Sequence, residues 1–182
     1  MNKLFLVSII LLAFLVGSCS SEAGSNADKA VSTEKSTKKE VKWIGFNEGL
    51  AKAQKESKPM LIDFYTDWCH WCKVMDEKTF SDSKVAAKLS DKFVTVRIDA
   101  EDGNSSVQFK GESLTNIELT RAFQVSGFPS LGFLDAKGEP ITVIPGYIPP
   151  ETFINILDYM DQECYKKQIS FEDYLKKKED CK

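Results

Sequence analysis

With 182 residues, 24 Lys and Arg against 27 Asp and Glu and a single histidine, the chain is mildly acidic. No basic surplus is available to hold a phosphate backbone, which argues against nucleic acid as a partner. Hydrophobic residues make up 42% of the sequence, enough for a packed core in the length left after the N-terminal segment.

That segment begins with Lys3 and continues as an apolar run, Leu4 to Val16, too short to cross a bilayer as a helix and of the form of an export signal. Its end, Leu15-Val16-Gly17-Ser18-Cys19, resembles the lipobox of bacterial lipoproteins. The resemblance implies that residues 1–18 are removed as a signal peptide and that Cys19 carries the lipid, so a covalent chain rather than a transmembrane helix anchors the protein. The alternative is ordinary cleavage with Cys19 as a chance residue. Residues 20–40 contain four lysines, four acidic residues and Val31 as their one large apolar side chain. Residues 19–40 therefore read as the lipidated cysteine and a flexible tether, and residues 41–182 as one domain. Ser20 is not the aspartate associated with inner-membrane retention in enteric bacteria, so outer-membrane attachment is the expectation. Export also favours disulfides. Five cysteines less a lipidated Cys19 leave four, or two pairs.

Within the domain, Phe46 to Lys58 has Phe46, Leu50 and Ala53 at helical spacing and ends at Pro59. Met60 to Tyr65 is nearly all apolar, the pattern of a strand covered on both faces, with Asp63 as the single acid inside it. Thr66 and Asp67 turn the chain into Trp68-Cys69-His70-Trp71-Cys72, and Lys73 to Lys78 continues as helix. Ser81 or Asp82 caps a second helix carrying Val85 and Leu89. Phe93 to Asp99 alternates as a strand, and Ala100 to Ser113 is a polar excursion, an insertion suited to shaping a rim. A short helix is expected within Leu114 to Phe123, then a strand at Ser130 to Leu134. The Asp135-Ala136-Lys137-Gly138 turn pairs that strand with Ile141 to Ile144. Pro149-Pro150-Glu151 starts a helix with Phe153, Leu157, Met160 and Cys164 on one stripe, and Ser170 with Asp173 boxes a final short helix.

The two thiols of Cys69 and Cys72 are three positions apart at a strand-to-helix junction, where one disulfide opens and closes with little backbone movement. A permanent staple is the bland alternative, but so short a loop has little unfolded-state entropy to remove. Half of a zinc site is another, yet Cys164 and Cys181 form no second tight pair and only His70 is available as an imidazole. A redox dithiol is the better reading, with no metal. Cys69, at the helix start, sits where free amides and the helix dipole favour a thiolate.

The strand Leu61-Ile62-Asp63-Phe64, the Trp-Cys-X-X-Cys-Lys run at 68–73, Phe128-Pro129 before a strand and Gly146 before the last core helix resemble the thioredoxin superfamily over most of residues 43–160. Lys78-Thr79-Phe80-Ser81-Asp82, the excursion near 101–113 and Pro145-Gly146-Tyr147-Ile148-Pro149-Pro150-Glu151 are similar to bacterial envelope thioredoxin-like reductases, the C-terminal domain of DsbD and the SoxW-type exported thioredoxins. The resemblance implies an α/β thioredoxin-like fold: a central mixed sheet of four to five strands flanked by helices, with an extra C-terminal helix. It implies Cys69 as nucleophile, Cys72 as resolving thiol and Asp63 as the acid that handles the resolving thiol's proton. A carboxylate buried in such a strand costs several kcal/mol unless paired, protonated or used; the alternative is an acid that reaches water. The family's usual lysine partner is missing, with Thr95 or Val96 at the nearest positions.

By the same resemblance Pro129 is a cis-proline that leaves the backbone before it open to an extended substrate, and Phe128, bulkier than the usual residue there, narrows substrate choice. Trp68 and Trp71 form an apolar collar or are half-buried packing residues. His70 between the sulfurs tunes the potential or is simply an exposed side chain at the helix start. Cys164 and Cys181 are expected to pair as a structural disulfide in an oxidising compartment; otherwise Cys164 is a small buried hydrophobe and Cys181 belongs to a loose chain end.

The expected function is an envelope thiol-disulfide oxidoreductase, facing the periplasm, that reduces disulfides of exported proteins through a mixed disulfide. A monomer without cofactor is expected. With no nicotinamide-binding glycine loop, its electrons would come from a membrane thiol reductase. The alternatives are a disulfide oxidase or isomerase, and a Cu(I)-binding carrier of the same fold.

Overall fold

The computed structural model describes residues 40–177 and residue 181. The signal at 1–18, the lipid site Cys19 and nearly all of the tether lie outside the described residues. Four strands make the central sheet: β1 (Met60–Tyr65), β2 (Val94–Asp99), β3 (Ser130–Leu134) and β4 (Pro140–Pro145). Their order is β2-β1-β3-β4, with β1 parallel to β2 and the other two pairings antiparallel. The fold is thioredoxin-like. β1 is flanked on both sides, and its first five residues are buried, as its nearly all-apolar run requires, Asp63 being the one polar residue among them.

Strand alternation divides the core. Met60, Ile62 and Phe64 point to one face, among Phe46, Ala53, Val96 and Leu119 from α1 (Phe46–Glu56), β2 and α4 (Asn116–Ala122). Leu61 points to the other, among Met75, Phe80, Val85, Leu89, Phe153 and Leu157 from α2 (His70–Met75) and its continuation, α3 (Ser83–Lys92) and α5 (Pro150–Asp161). The same alternation sends Asp63 to the face on which α2 packs. Helix α1 lies close on β2 because of Gly49: a Cβ there would meet Val96 Cγ2 at 2.2 Å.

Several local expectations need correction. After α2 the chain does not continue as α-helix to Lys78 but widens into a π turn, Asp76–Phe80. Tertiary contacts hold it there: Thr79 Oγ1 donates to the Ile148 carbonyl at 2.6 Å, and Phe80 packs edge-on against Trp43 and Phe153. The excursion after β2 is not merely polar loop. It contains a hairpin of its own, Ser106–Phe109 with Glu112–Thr115, turned by Lys110 and Gly111, both at positive φ. Phe109 meets Phe46, and Asn47 accepts from Gln108 N at 2.7 Å, so α1 holds the hairpin. Cys164 lies not on α5, which ends at Asp161, but in the 3-10 turn Cys164–Lys167 that leads to α6 (Phe171–Lys177).

Candidate active site

β1 runs into the turn Thr66–Trp68, where the Thr66 carbonyl accepts from Cys69 N at 3.2 Å and starts α2. Cys69 is the N-cap of that helix, and its Sγ accepts the Cys72 N–H at 3.0 Å. A capping sulfur in this position takes up one of the helix's unpaired amides, the arrangement that favours a thiolate over a thiol. The two cysteines are joined as a disulfide with Cα atoms 5.3 Å apart. Both cysteines are buried, Cys69 at 3% exposure and Cys72 at 4%. Bulky rings stand beside both cysteines in the sequence.

Those rings are Trp68 and Trp71, 66% and 54% exposed. Trp68 stands edge-on to Phe128 at 6.1 Å between centroids, and its indole N–H donates to Glu101 Oε2 at 2.9 Å. Trp71 lies against Tyr147 at 5.6 Å. The collar is thus built from four elements of the chain, with Glu101, from the excursion, fixing one ring. The Phe128–Pro129 peptide bond is cis and leads into β3. His70 is exposed in the first turn of α2, with its ring 5.7 Å from that of Trp71.

Asp63 is 1% exposed, and its cation is Arg97. The β1–β2 register sets Arg97 directly across from Asp63, whereas Thr95 and Val96 face Leu61 and Ile62. Asp63 Oδ2 accepts from Arg97 Nε at 2.9 Å and lies 2.7 Å from Nη2. Arg97 Nη2 also donates to Asp76 Oδ1, and the guanidinium carbon stands 4.6 Å and 5.1 Å from the rings of Trp43 and Tyr65. Burial, opposed by Arg97, raises the Asp63 carboxyl from 3.8 to about 6. Sequence reasoning does not single out Arg97, Asp76 or Glu101, and it offers Tyr147 only as part of the run at 145–151. Asp76 has a local signal, since it lies four residues beyond Cys72 on the same helical run; Arg97 has none, because its place depends on strand register.

Cys164 and Cys181 are joined by a second disulfide, Cα to Cα 5.2 Å, beneath the α5 side of the core. Cys181 N donates to Gln162 Oε1 at 3.0 Å. No cluster of three or more metal-ligating side chains occurs among the described residues, and no helix among them is long and apolar enough to cross a membrane.

A Cys-X-X-Cys disulfide capping the helix that follows the central strand, on a β2-β1-β3-β4 sheet, defines a thioredoxin-type dithiol domain. The chain belongs to the thioredoxin-like domain family, whose model matches residues 46–161. It is 39% identical over 93 residues to the thiol:disulfide interchange protein DsbD of Vibrio vulnificus, a match covering 51% of this chain and 14% of that protein. The chain therefore spans only a small part of the curated relatives it matches. Among solved structures it is similar to a thioredoxin from Thermus thermophilus, with 26% identity and a TM-score of 0.54 over 69% of this chain and 88% of the other. A thioredoxin-fold protein from Helicobacter pylori shares the fold at 21% identity and a TM-score of 0.56, over 67% and 80%.

Proposed function

We propose that this protein is a lipid-anchored thiol-disulfide oxidoreductase of the bacterial envelope, periplasm-facing and attached through Cys19 to the outer membrane, that reduces disulfides of exported proteins. The observation that carries the reading is the Cys69 sulfur capping α2 at 3.0 Å from Cys72 N, with Asp63 buried on the face where that helix packs. In the reduced protein the Cys69 thiolate attacks a substrate disulfide, and one substrate sulfur leaves as a thiolate. Cys72 then loses its proton to Asp63 and attacks Cys69 Sγ. The Cys69–substrate bond breaks, and the second substrate sulfur departs with the electron pair and takes a proton from solvent. Two electrons pass to the substrate, and the dithiol ends as the disulfide seen here.

Trp68, Trp71, Phe128 and Pro129, with His70 at the helix start, form the surface on which an extended substrate segment lies. The similarity to DsbD, a thiol:disulfide interchange protein, supports a membrane thiol reductase as the source of electrons. The monomeric domain needs no cofactor for this exchange.

The test is a Cys72→Ala variant expressed in the envelope. It should accumulate exported proteins disulfide-bonded to Cys69, and a Cys69→Ala variant should accumulate none. Equal capture by both variants, or by neither, counts against turnover through this pair. The direction of transfer is read from equilibrium with glutathione: a potential near about −270 mV supports reduction, and one near about −120 mV supports the oxidase alternative.

A further inference from the structure

Three side chains from three elements form one ionic contact on the α2 side of the sheet. Arg97 of β2 places Nε and Nη2 on the same oxygen of Asp63, Oδ2, and shares Nη2 with Asp76 at the start of the π turn. Asp63 Oδ1 is consequently buried with no hydrogen-bond partner. Asp76 lies four residues beyond Cys72 on one helical run, and its N–H donates to the Cys72 carbonyl. Side chains at that spacing share a face, so the grip of Arg97 on Asp76 turns the Cys72 face of the helix toward the strand pair that carries Asp63.

We propose that Arg97 is a positioning residue for the thiol chemistry: by holding Asp63 Oδ2 and Asp76 Oδ1 together, it leaves Asp63 Oδ1 as the atom that takes the proton of Cys72. This rests on the exchange reaction proposed above. The Cys72 S–H bond breaks, the proton goes to Oδ1, and the sulfur's electron pair forms the bond to Cys69 as the Cys69–substrate bond opens. Arginine suits the task because its guanidinium stays charged throughout and offers several donors in a fixed plane. Two rings, Trp43 and Tyr65, flank that plane.

Burial is the largest influence on the Asp63 carboxyl and raises it; among its charged neighbours, Arg97 favours the ionised form and Asp76 disfavours it. Across the ladder on β3 stands Leu131. Tyr65, two residues along the strand, has its phenol pushed up by burial and stays neutral. On α2 and the π turn His70, Lys73, Glu77 and Lys78 are exposed, and between α3 and α5 Lys88 pairs with Asp158 and Asp161.

The experiment follows stopped-flow oxidation of the reduced protein by oxidised glutathione, read by tryptophan fluorescence across the acidic to mildly alkaline range. It compares wild type with Arg97→Met, Arg97→Lys and Asp76→Asn. Removing the cation should move the acidic limb of the rate profile up by about 1–3 pH units, the usual influence of an adjacent opposite charge. Arg97→Lys should move it less, and Asp76→Asn should move it down, because a like charge is gone. If Arg97→Met does not fold, the other two variants decide the matter through their opposite shifts. Lower rates with the limb unmoved would mean that Arg97 only supports the fold, and would overturn the proposal. A wild type inert to glutathione would overturn the exchange reading as well, so the two failures are distinguishable.

Discussion

Thr79 donates its hydroxyl hydrogen to the carbonyl of Ile148 at 2.6 Å, and both residues are buried. The bond joins the π turn that follows the dithiol helix to the loop whose Tyr147 ring supports Trp71. One side of the aromatic collar therefore depends on a hydrogen bond made deep behind it.

Thr79→Val keeps the shape of the side chain but leaves the Ile148 carbonyl without its partner. A buried acceptor left unsatisfied costs about 1–3 kcal/mol. The expected result is a lower midpoint in urea with unchanged slope, together with altered Trp71 fluorescence. An unchanged midpoint would show that this bond adds nothing to the fold.

The wild type should lose stability as the pH rises through the window from 3.8 to about 6. Folded Asp63 holds its proton up to about pH 6 while the unfolded side chain releases it near 3.8. Between those values the folded state binds more protons, so raising the pH favours unfolding, by about 3 kcal/mol in all. This contribution is full below the lower value and gone above the upper one. Asp63→Asn lacks it, so the stability of the variant relative to wild type should increase across the window. Parallel stability curves for the two proteins would refute the assignment.

Cys164→Ala combined with Cys181→Ala removes a bridge between residues 17 apart in sequence. A closed loop of this size is worth about 3 kcal/mol. Denaturant unfolding should show that loss, while exchange at Cys69 and Cys72 should continue at the wild-type rate. A large drop in exchange by a still-folded variant would contradict a purely structural role for the second disulfide.

Trp68→Ala and Trp71→Ala remove exposed rings, so each should cost at most about 1 kcal/mol of stability. If the rings receive substrate, kcat/KM toward a disulfide-containing peptide should fall roughly 2- to 10-fold, the weight of one aromatic contact. Reaction with a small disulfide such as oxidised glutathione should change little. Equal losses toward both probes would point to a disturbed dithiol rather than a lost docking surface.

The apolar run at β1, the cysteine spacing and the caps are local signals, and each was legible residue by residue. The hairpin within the excursion was less so, because Ser106–Phe109 offers only Val107 and Phe109 as buried residues and its stability comes from Phe46 and Asn47, some 60 positions earlier. The π turn was hidden for a similar reason, since Asp76–Phe80 has no breaker and is shaped by Thr79 and Phe80 reaching distant partners.

By itself the sequence determined a dithiol at the mouth of a helix, an acid out of place in a buried strand, and the thioredoxin-like frame that joins them. Tertiary structure alone decided what stands beside that acid. Parallel pairing of β1 with β2 aligns Asp63 with Arg97 rather than with Thr95 or Val96, and a shift of one residue would send the guanidinium to the opposite face of the sheet. Spacing along a chain specifies which side chains share a face of their own element. Which charge meets which across two elements depends on register, and register is chosen by the packing of both faces at once.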